Sequence, residues 1–388
     1  MSVCSCQARN TQHEPAAAAT ETASTEAHLL TGADRTDAYL PMLEGRRVAM
    51  LVNQTSVIAH DGGHTAIVDS LISRDVDVRF LMAPEHGIKG LISAGDPVTD
   101  SHYQQKQNLK VYSLYGKNKK PQAEWLSQCD VVVFDVQDVG CRFYTYLSSL
   151  YYLLQACGEQ HKEVIVLDRP NPNDTIDGPV LSDDRFRSFV GMVNVPMLHG
   201  CTLGEMAQMM VGEGWLGDCP KPKLTVITCQ GWHHGQPYDL PIAPSPNLRT
   251  PHAIRLYPSL CLYEASDVSV GRGTDTPFEV VGKPGFAKGD YRFTPQPCEA
   301  ATNPPHAGKL CQGYDLRTLD VSVGLHLDLL LLFADTEWIT QTKFFDRLAG
   351  TDQLRLMITQ GRPEDEIRQS WQPDLLKYRA MREKYVLY

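Results

Sequence analysis

Four short polar clusters each follow an apolar run. They are Asn53-Gln54-Thr55, Pro84-Glu85-His86-Gly87, Asp135 with Gln137, Asp138 and Arg142, and Asp168-Arg169-Pro170-Asn171-Pro172. Carboxyls beside histidines and amides are the material of proton transfer. Arginine's planar fork suits a carboxylate or a phosphate. Further along stand His199, Asn247 in Pro244-Ser245-Pro246-Asn247, Glu264, and Arg272 between two glycines with Asp275 nearby. Any one cluster alone reads as well as a turn or a cap, because Asn, Asp and Pro are ordinary turn residues. Thr202 and Glu205 have the spacing of a capping box, and Arg272 and Asp275 that of a loop staple. His60 and His64 bracket two glycines, and His233-His234 reads as a surface loop. No His/Asp set has ligand spacing, so neither a metal nor a cofactor is expected.

The elements that would position these residues alternate in kind. Apolar runs at Arg46–Val52, Val76–Ala83, Leu109–Leu114, Val131–Phe134 and Val164–Leu167 read as strands. His64–Ser73, Pro121–Ser127 and Tyr144–Cys157 read as helices between them. Several of the strands are apolar without alternation, the pattern of a parallel sheet covered on both faces. The expected fold is α/β: a Rossmann-like, mostly parallel sheet with helices on both faces, plus a smaller C-terminal α+β domain. In such a sheet the strand ends share one edge, where ligands bind, so the polar clusters should converge. The expected division is a tether over 1–35, a catalytic domain over 36–245 and an auxiliary domain over 246–388, with folding from near Leu40. The run Val323–Phe333 reads as an apolar helix.

Composition narrows the function. The net charge of −10 argues against nucleic acid as partner, and 42% hydrophobic residues support a real core. No G-x-G-x-x-G follows the first strand and no Walker-type loop occurs, which argues against dinucleotide and P-loop enzymes. No G-x-S-x-G elbow is present. Eleven cysteines are scattered without a C-x-x-C, and Cys157 and Cys261 read as core residues. No run approaches the roughly 18 apolar residues of a membrane span. Val3-Cys4-Ser5-Cys6 is similar to the end of a bacterial lipobox with Cys6 as the acylated residue, followed by an Ala/Thr/Glu/Gln-rich tether. The basic and apolar regions of a signal peptide do not precede it in this sequence.

Several blocks resemble one family. P-E-H-G at 84–87, F-D-V-Q-D-V-G-C-R-F-Y-T-Y at 134–146, L-D-R-P-N-P at 167–172, H-G-C-T-L-G-E at 199–205, P-S-P-N at 244–247 and the stretch from Tyr257 to Glu279 are similar, in order, to the exo-β-N-acetylmuramidase (NamZ) family, glycoside hydrolase family 171. The resemblance implies a Rossmann-like domain and a smaller C-terminal domain with the site between them. It implies release of N-acetylmuramic acid from the non-reducing end of peptidoglycan fragments, in an envelope or periplasmic setting that agrees with a membrane tether through Cys6. Glycoside hydrolysis needs a proton donor and a second group at the anomeric carbon. Glu85 matches the family's P-E-H-G glutamate and is the expected acid, with His86 to orient it. Asp138 is the expected second catalytic carboxyl, in competition with Asp135, Asp168, Glu264 and Asp275, or with the substrate's own acetamido group. The lactyl carboxylate of the sugar calls for an arginine: Arg142, Arg169 or Arg272. Asn53, Gln137, Tyr144, Asp168, Asn171, His199, Asn247, Glu264 and Asp275 complete the expected binding set, and Tyr146 and Tyr263 could stack on the sugar. A non-catalytic muropeptide-binding module and a metal-assisted hydrolase are the competing readings.

Overall fold

The structure, a computed structural model, describes residues 1, 29–104 and 108–388. The Cys6 expectation and most of the expected tether lie outside the described residues. Seven strands form one sheet in the order Leu224–Ile227, Glu163–Leu167, Val131–Asp135, Arg47–Val52, Asp77–Ala83, Leu109–Ser113, Ser101–Tyr103. The first six run parallel, and Ser101–Tyr103 closes one edge antiparallel.

The valine-rich strands behave as their continuous apolar runs predict. Every residue of Val131–Asp135 and Glu163–Leu167 is buried. Successive side chains point to opposite faces, so the sheet divides two cores. Val48, Met50, Val131, Val133 and Ile165 face Tyr39, Leu43, Ile67 and Leu71 from the helices Thr36–Leu43 and Ile67–Ile72. Ala49, Leu51, Val132, Phe134 and Val166 face the helices Tyr146–Glu159 and Leu203–Gly212. This second core runs on into Tyr263, Phe333, Trp338, Phe345 and Tyr378, so the C-terminal part is packed onto the sheet domain.

The C-terminal part carries a three-stranded antiparallel sheet, Val280–Lys283, Cys311–Asp315 and Tyr291–Phe293 in that order, and short helices ending with Gln372–Arg382. Cys157 and Cys261 are core residues, as expected.

Several elements depart from the sequence reading. Leu224–Ile227 is an additional parallel strand, masked in the sequence because three of its four residues are only half-buried at the sheet edge. Of Val323–Phe333 only Leu327–Leu330 is helical; the residues before it are bend or irregular and those after it turn. His64 belongs to a hairpin, Val57–His60 with Gly63–Ala66, and the helix starts only at Ile67. Ordered contacts also begin before Leu40. Leu30 exchanges backbone hydrogen bonds with Gln230 (2.9 and 2.8 Å), and the Gly32 amide donates to Asp168 O at 2.8 Å. Gly32 passes so close that a Cβ would lie 2.3 Å from Ile227 O.

Candidate active site

The Arg47–Val52 strand has Asp77–Ala83 on one side and Val131–Asp135 on the other, so the chain's winding reverses there. The four expected clusters do lie along this carboxyl edge, but they form two separate environments.

The first is an open cleft of about 930 Å³ between the sheet edge and the C-terminal part. Glu85, His86, Tyr144, Glu264 and Arg272, all expected site residues, line it together with Tyr115, Thr145, Ser245 and Phe278. Glu85 follows the Asp77–Ala83 strand. The next two residues, His86 (φ +70°) and Gly87 (φ +73°), are both left-handed and turn the chain sharply. For a histidine that conformation costs on the order of 1 kcal/mol or more. It is held by the His86 ring, whose Nδ1 lies 2.7 Å from Ile92 O. Glu85 is 8% exposed. Its Oε1 accepts from the Gly95 amide at 3.0 Å and its Oε2 from the Thr145 hydroxyl at 2.6 Å. Thr145 precedes the Tyr146–Glu159 helix but makes no capping bond there, because its hydroxyl is turned to Glu85 instead. Burial lowers the His86 pKa, against the opposing pull of Glu85. Burial raises that of the Tyr115 phenol, and the Glu85 carboxylate adds to it.

Opposite, Arg272 donates from Nε to Glu264 Oε1 at 2.6 Å and lies 5.0 Å from the centre of the Phe278 ring. Its partner is therefore Glu264, not Asp275, which is exposed and not part of the cleft lining. Burial lowers the Arg272 pKa, but the Glu264 charge outweighs it and the net shift is upward. Both flanking glycines are left-handed, and a Cβ on Gly271 would fall 2.7 Å from Val280 Cγ2.

The second environment is closed. Asp135 and Arg169 form a buried bidentate pair, Nε to Oδ1 at 2.6 Å and Nη2 to Oδ2 at 3.0 Å, and Nη2 also donates to Val57 O at 2.9 Å. Arg169 therefore has no free fork for a ligand. Gln137, Asp138, Asp168, Arg169 and Asn171 line a small cavity that Glu85 does not share. Asp138 Oδ1 accepts from the Gly140 amide at 2.7 Å. His199 is fully buried, with Nε2 3.8 Å from Asp138 Oδ1 and Nδ1 accepting from the Cys201 amide at 3.2 Å. Asn171 accepts from the Asn173 amide at 2.9 Å. Asn53 caps the first strand, accepting from Thr55 and donating to the Tyr146 hydroxyl at 3.0 Å. Asn247 donates to Ala300 O at 2.7 Å. Tyr263 is fully buried, its hydroxyl donating to Leu329 O and Leu330 O, and the burial removes that ring from sugar stacking. The Tyr146 hydroxyl is used by Pro244 O.

Arg142 departs furthest from expectation. It is fully buried, and its guanidinium donates to Pro179 O (2.8 Å), Val195 O (2.7 Å) and Leu348 O (2.9 Å). Burial, without a carboxylate beside it, drops its pKa to about 9. It ties the sheet domain to the helix Thr342–Ala349 and does not line the cleft.

Thr202 and Glu205 form the expected capping box. Glu205 also binds His234 (2.9 Å), whose other ring nitrogen meets Asp174 (2.9 Å). His234 is therefore an ion-pair bridge, not a free loop residue. The Leu387 amide adds a bond to Glu205, and the Tyr388 hydroxyl donates to Asp168 Oδ2 at 2.6 Å. Burial is the main cause that lifts Asp168 to about 6. Among the described residues no group of three or more His, Cys, Asp or Glu is placed to hold a metal, and no helix is long and apolar enough to cross a membrane.

The sequence reading did not name Tyr115, and it had Thr145 and Ser245 only as letters within longer blocks. Thr145 follows the singled-out Tyr144, and Ser245 lies two positions before Asn247. Tyr115 carried no signal, because the loop after Leu109–Ser113 holds no cluster.

Fold and cleft together define an α/β protein with a polar cleft between a Rossmann-like sheet and a smaller C-terminal module. The chain belongs to the exo-beta-N-acetylmuramidase NamZ family: the family's N-terminal model matches residues 48–252 and its C-terminal model residues 255–388. It is 34% identical over 376 residues to the peptidoglycan beta-N-acetylmuramidase NamZ of Bacillus subtilis (strain 168), covering 90% of this chain and 89% of that protein. Two crystal structures of DUF1343 family proteins from Bacteroides fragilis NCTC 9343 share the fold. One has a TM-score of 0.81 at 37% identity and the other 0.78 at 27%, each over 93% of this chain and 99% of theirs.

Proposed function

We propose that this protein is an exo-acting glycosidase that releases N-acetylmuramic acid from the non-reducing end of peptidoglycan fragments, with Glu85 as its acid. Family membership supports the reaction class. The observation that carries the assignment of roles is the cleft itself, where Glu85 is the buried carboxyl facing an arginine and aromatic walls.

Glu85 delivers its proton to the glycosidic oxygen as the bond from that oxygen to the anomeric carbon breaks, and water finally supplies the new hydroxyl. Thr145 and the Gly95 amide fix the carboxyl's orientation, and the adjacent His86, held at Ile92 O, is a positioning residue. Of the five carboxyls weighed for the second role, Glu264 alone lines this cleft, so that role falls to Glu264 or to the substrate's 2-acetamido group. Arg272 is the cleft's arginine; Glu264 takes its Nε and Nη2, and its Nη1 is what remains for the lactyl carboxylate. Cys6 is read as a lipid anchor that places the enzyme in the cell envelope, on the sequence pattern alone.

The test is release of chromophore from a chromogenic N-acetylmuramide, with and without chelator. An enzyme of this kind liberates it in both conditions. A binding module liberates none, and a metal-assisted hydrolase loses its rate to the chelator.

A further inference from the structure

An exo-glycosidase holds one sugar in its cleft while the rest of the chain extends outward from the bond that breaks. Next to the Glu85 cleft lies a second groove of about 890 Å³, and Ser245 lines both. One wall of the groove is Lys89-Gly90-Leu91, the continuation of the segment that carries Glu85 and His86. The other walls are Ile242–Pro246 with Arg249, and Cys298–Ala300 from the C-terminal part. Resting on the function proposed above, we infer that this groove is the leaving-side saccharide subsite: it receives the N-acetylated amino sugar that departs from Glu85.

Three observations carry this inference. The first is continuity. The leaving oxygen must sit at Glu85, and the chain that follows Glu85 builds the groove's near wall.

The second is preorganisation. The Gln54 amide donates to Ala243 O and Pro244 O, both at 3.0 Å, and Asn247 holds Ala300 O at 2.7 Å. Thr302 reaches across to Asp96 Oδ2 at 2.8 Å. A groove with walls already fixed loses little freedom when a ligand enters.

The third is lining chemistry. Leu91 is 50% exposed, an apolar face of the kind that meets a sugar's C–H surface. Lys89 and Arg249 are exposed cations, and among the described residues neither forms an ion pair; Arg249 is pinned through Nε to Pro246 O at 2.7 Å. They supply donors for hydroxyl and acetamide oxygens. A stem peptide branches from the lactyl group of the terminal sugar, not from the bond at Glu85.

The experiment compares the wild type with Lys89→Ala/Arg249→Ala and with Leu91→Ser. The substrates are a chromogenic N-acetylmuramide, a peptide-free tetrasaccharide ending in N-acetylmuramic acid, and the same tetrasaccharide bearing stem peptides. The inference predicts that KM for both tetrasaccharides rises about tenfold, the worth of about 1.4 kcal/mol, with kcat kept and the chromogenic reaction unchanged. Unchanged KM on the tetrasaccharides overturns it, as does an equal loss on all three substrates. A loss confined to the peptide-bearing substrate assigns the groove to the peptide and also overturns it. If the wild type releases nothing from the chromogenic substrate, the function itself falls and the subsite with it.

Discussion

Three arginines in this chain look alike in the sequence, and only one faces the cleft. What separates them is their partners. Arg142 is consumed by carbonyls at 179, 195 and 348, and Arg169 by Asp135 and Val57 O. Arg272 is braced by Glu264, eight positions away, and still lines the cleft. Removing that guanidinium should act on recognition more than on bond cleavage. Arg272→Met is therefore expected to lower kcat/KM about tenfold or more for an N-acetylmuramide while changing residual activity on an N-acetylglucosaminide much less. Paired steady-state kinetics on the two sugars check this, and an equal loss on both would remove Arg272 from the carboxylate's site. The residue types of the site were legible before the structure: Glu85, His86, Tyr144, Glu264 and Arg272 meet in one cleft. Sequence could not show which polar groups were already satisfied, because the satisfying atoms lie tens to hundreds of positions away.

At the scale of elements, the interior strands were readable because burial on both faces leaves continuous apolar runs. Leu224–Ile227 and the hairpin Ile176–Val180 with Pro196–His199 were not, since partial burial and proline dilute the signal. The same hairpin shows how the two parts of the molecule are joined. Pro179 O belongs to it, Val195 O immediately precedes its second strand, and Arg142 connects both to the helix Thr342–Ala349. Arg142→Met keeps much of the volume but strands three buried carbonyls. It should cost on the order of 3 kcal/mol, seen as a lower denaturant midpoint, with kcat/KM of the folded fraction retained. A large loss of kcat/KM at unchanged stability would mean that Arg142 reaches the substrate after all.

At the scale of the molecule, the C-terminus closes the fold. Tyr388 docks on Asp168 and Trp232, and His234 bridges Asp174 and Glu205, with Arg382 Nη2 3.0–3.1 Å from its ring nitrogens. Burial lowers the His234 pKa, but the two carboxylates outweigh it and lift it to about 9. A raised histidine stabilises the fold fully below its unfolded value near 6.5 and loses that contribution as pH rises through about 9. The raised Asp168, at about 6, loses its contribution earlier, between roughly pH 4 and 6. Melting temperature should therefore fall between pH 6.5 and 9, less steeply in high salt because His234 is half-buried. His234→Gln should flatten that slope, and an unchanged slope in the variant would assign it elsewhere. The architecture was legible as a whole, while this clasp was not, because His233-His234 offers no periodicity and its partners stand at 174, 205 and 382.

The proposed role of Glu85 as proton donor is tested most directly by steady-state release of N-acetylmuramic acid by Glu85→Gln beside Asp138→Asn. The predicted result is a fall of about a hundredfold or more for Glu85→Gln, with Asp138→Asn, outside the cleft, close to the wild-type rate. A near-normal rate for Glu85→Gln together with a collapse for Asp138→Asn would contradict it and move the chemistry to the closed cavity.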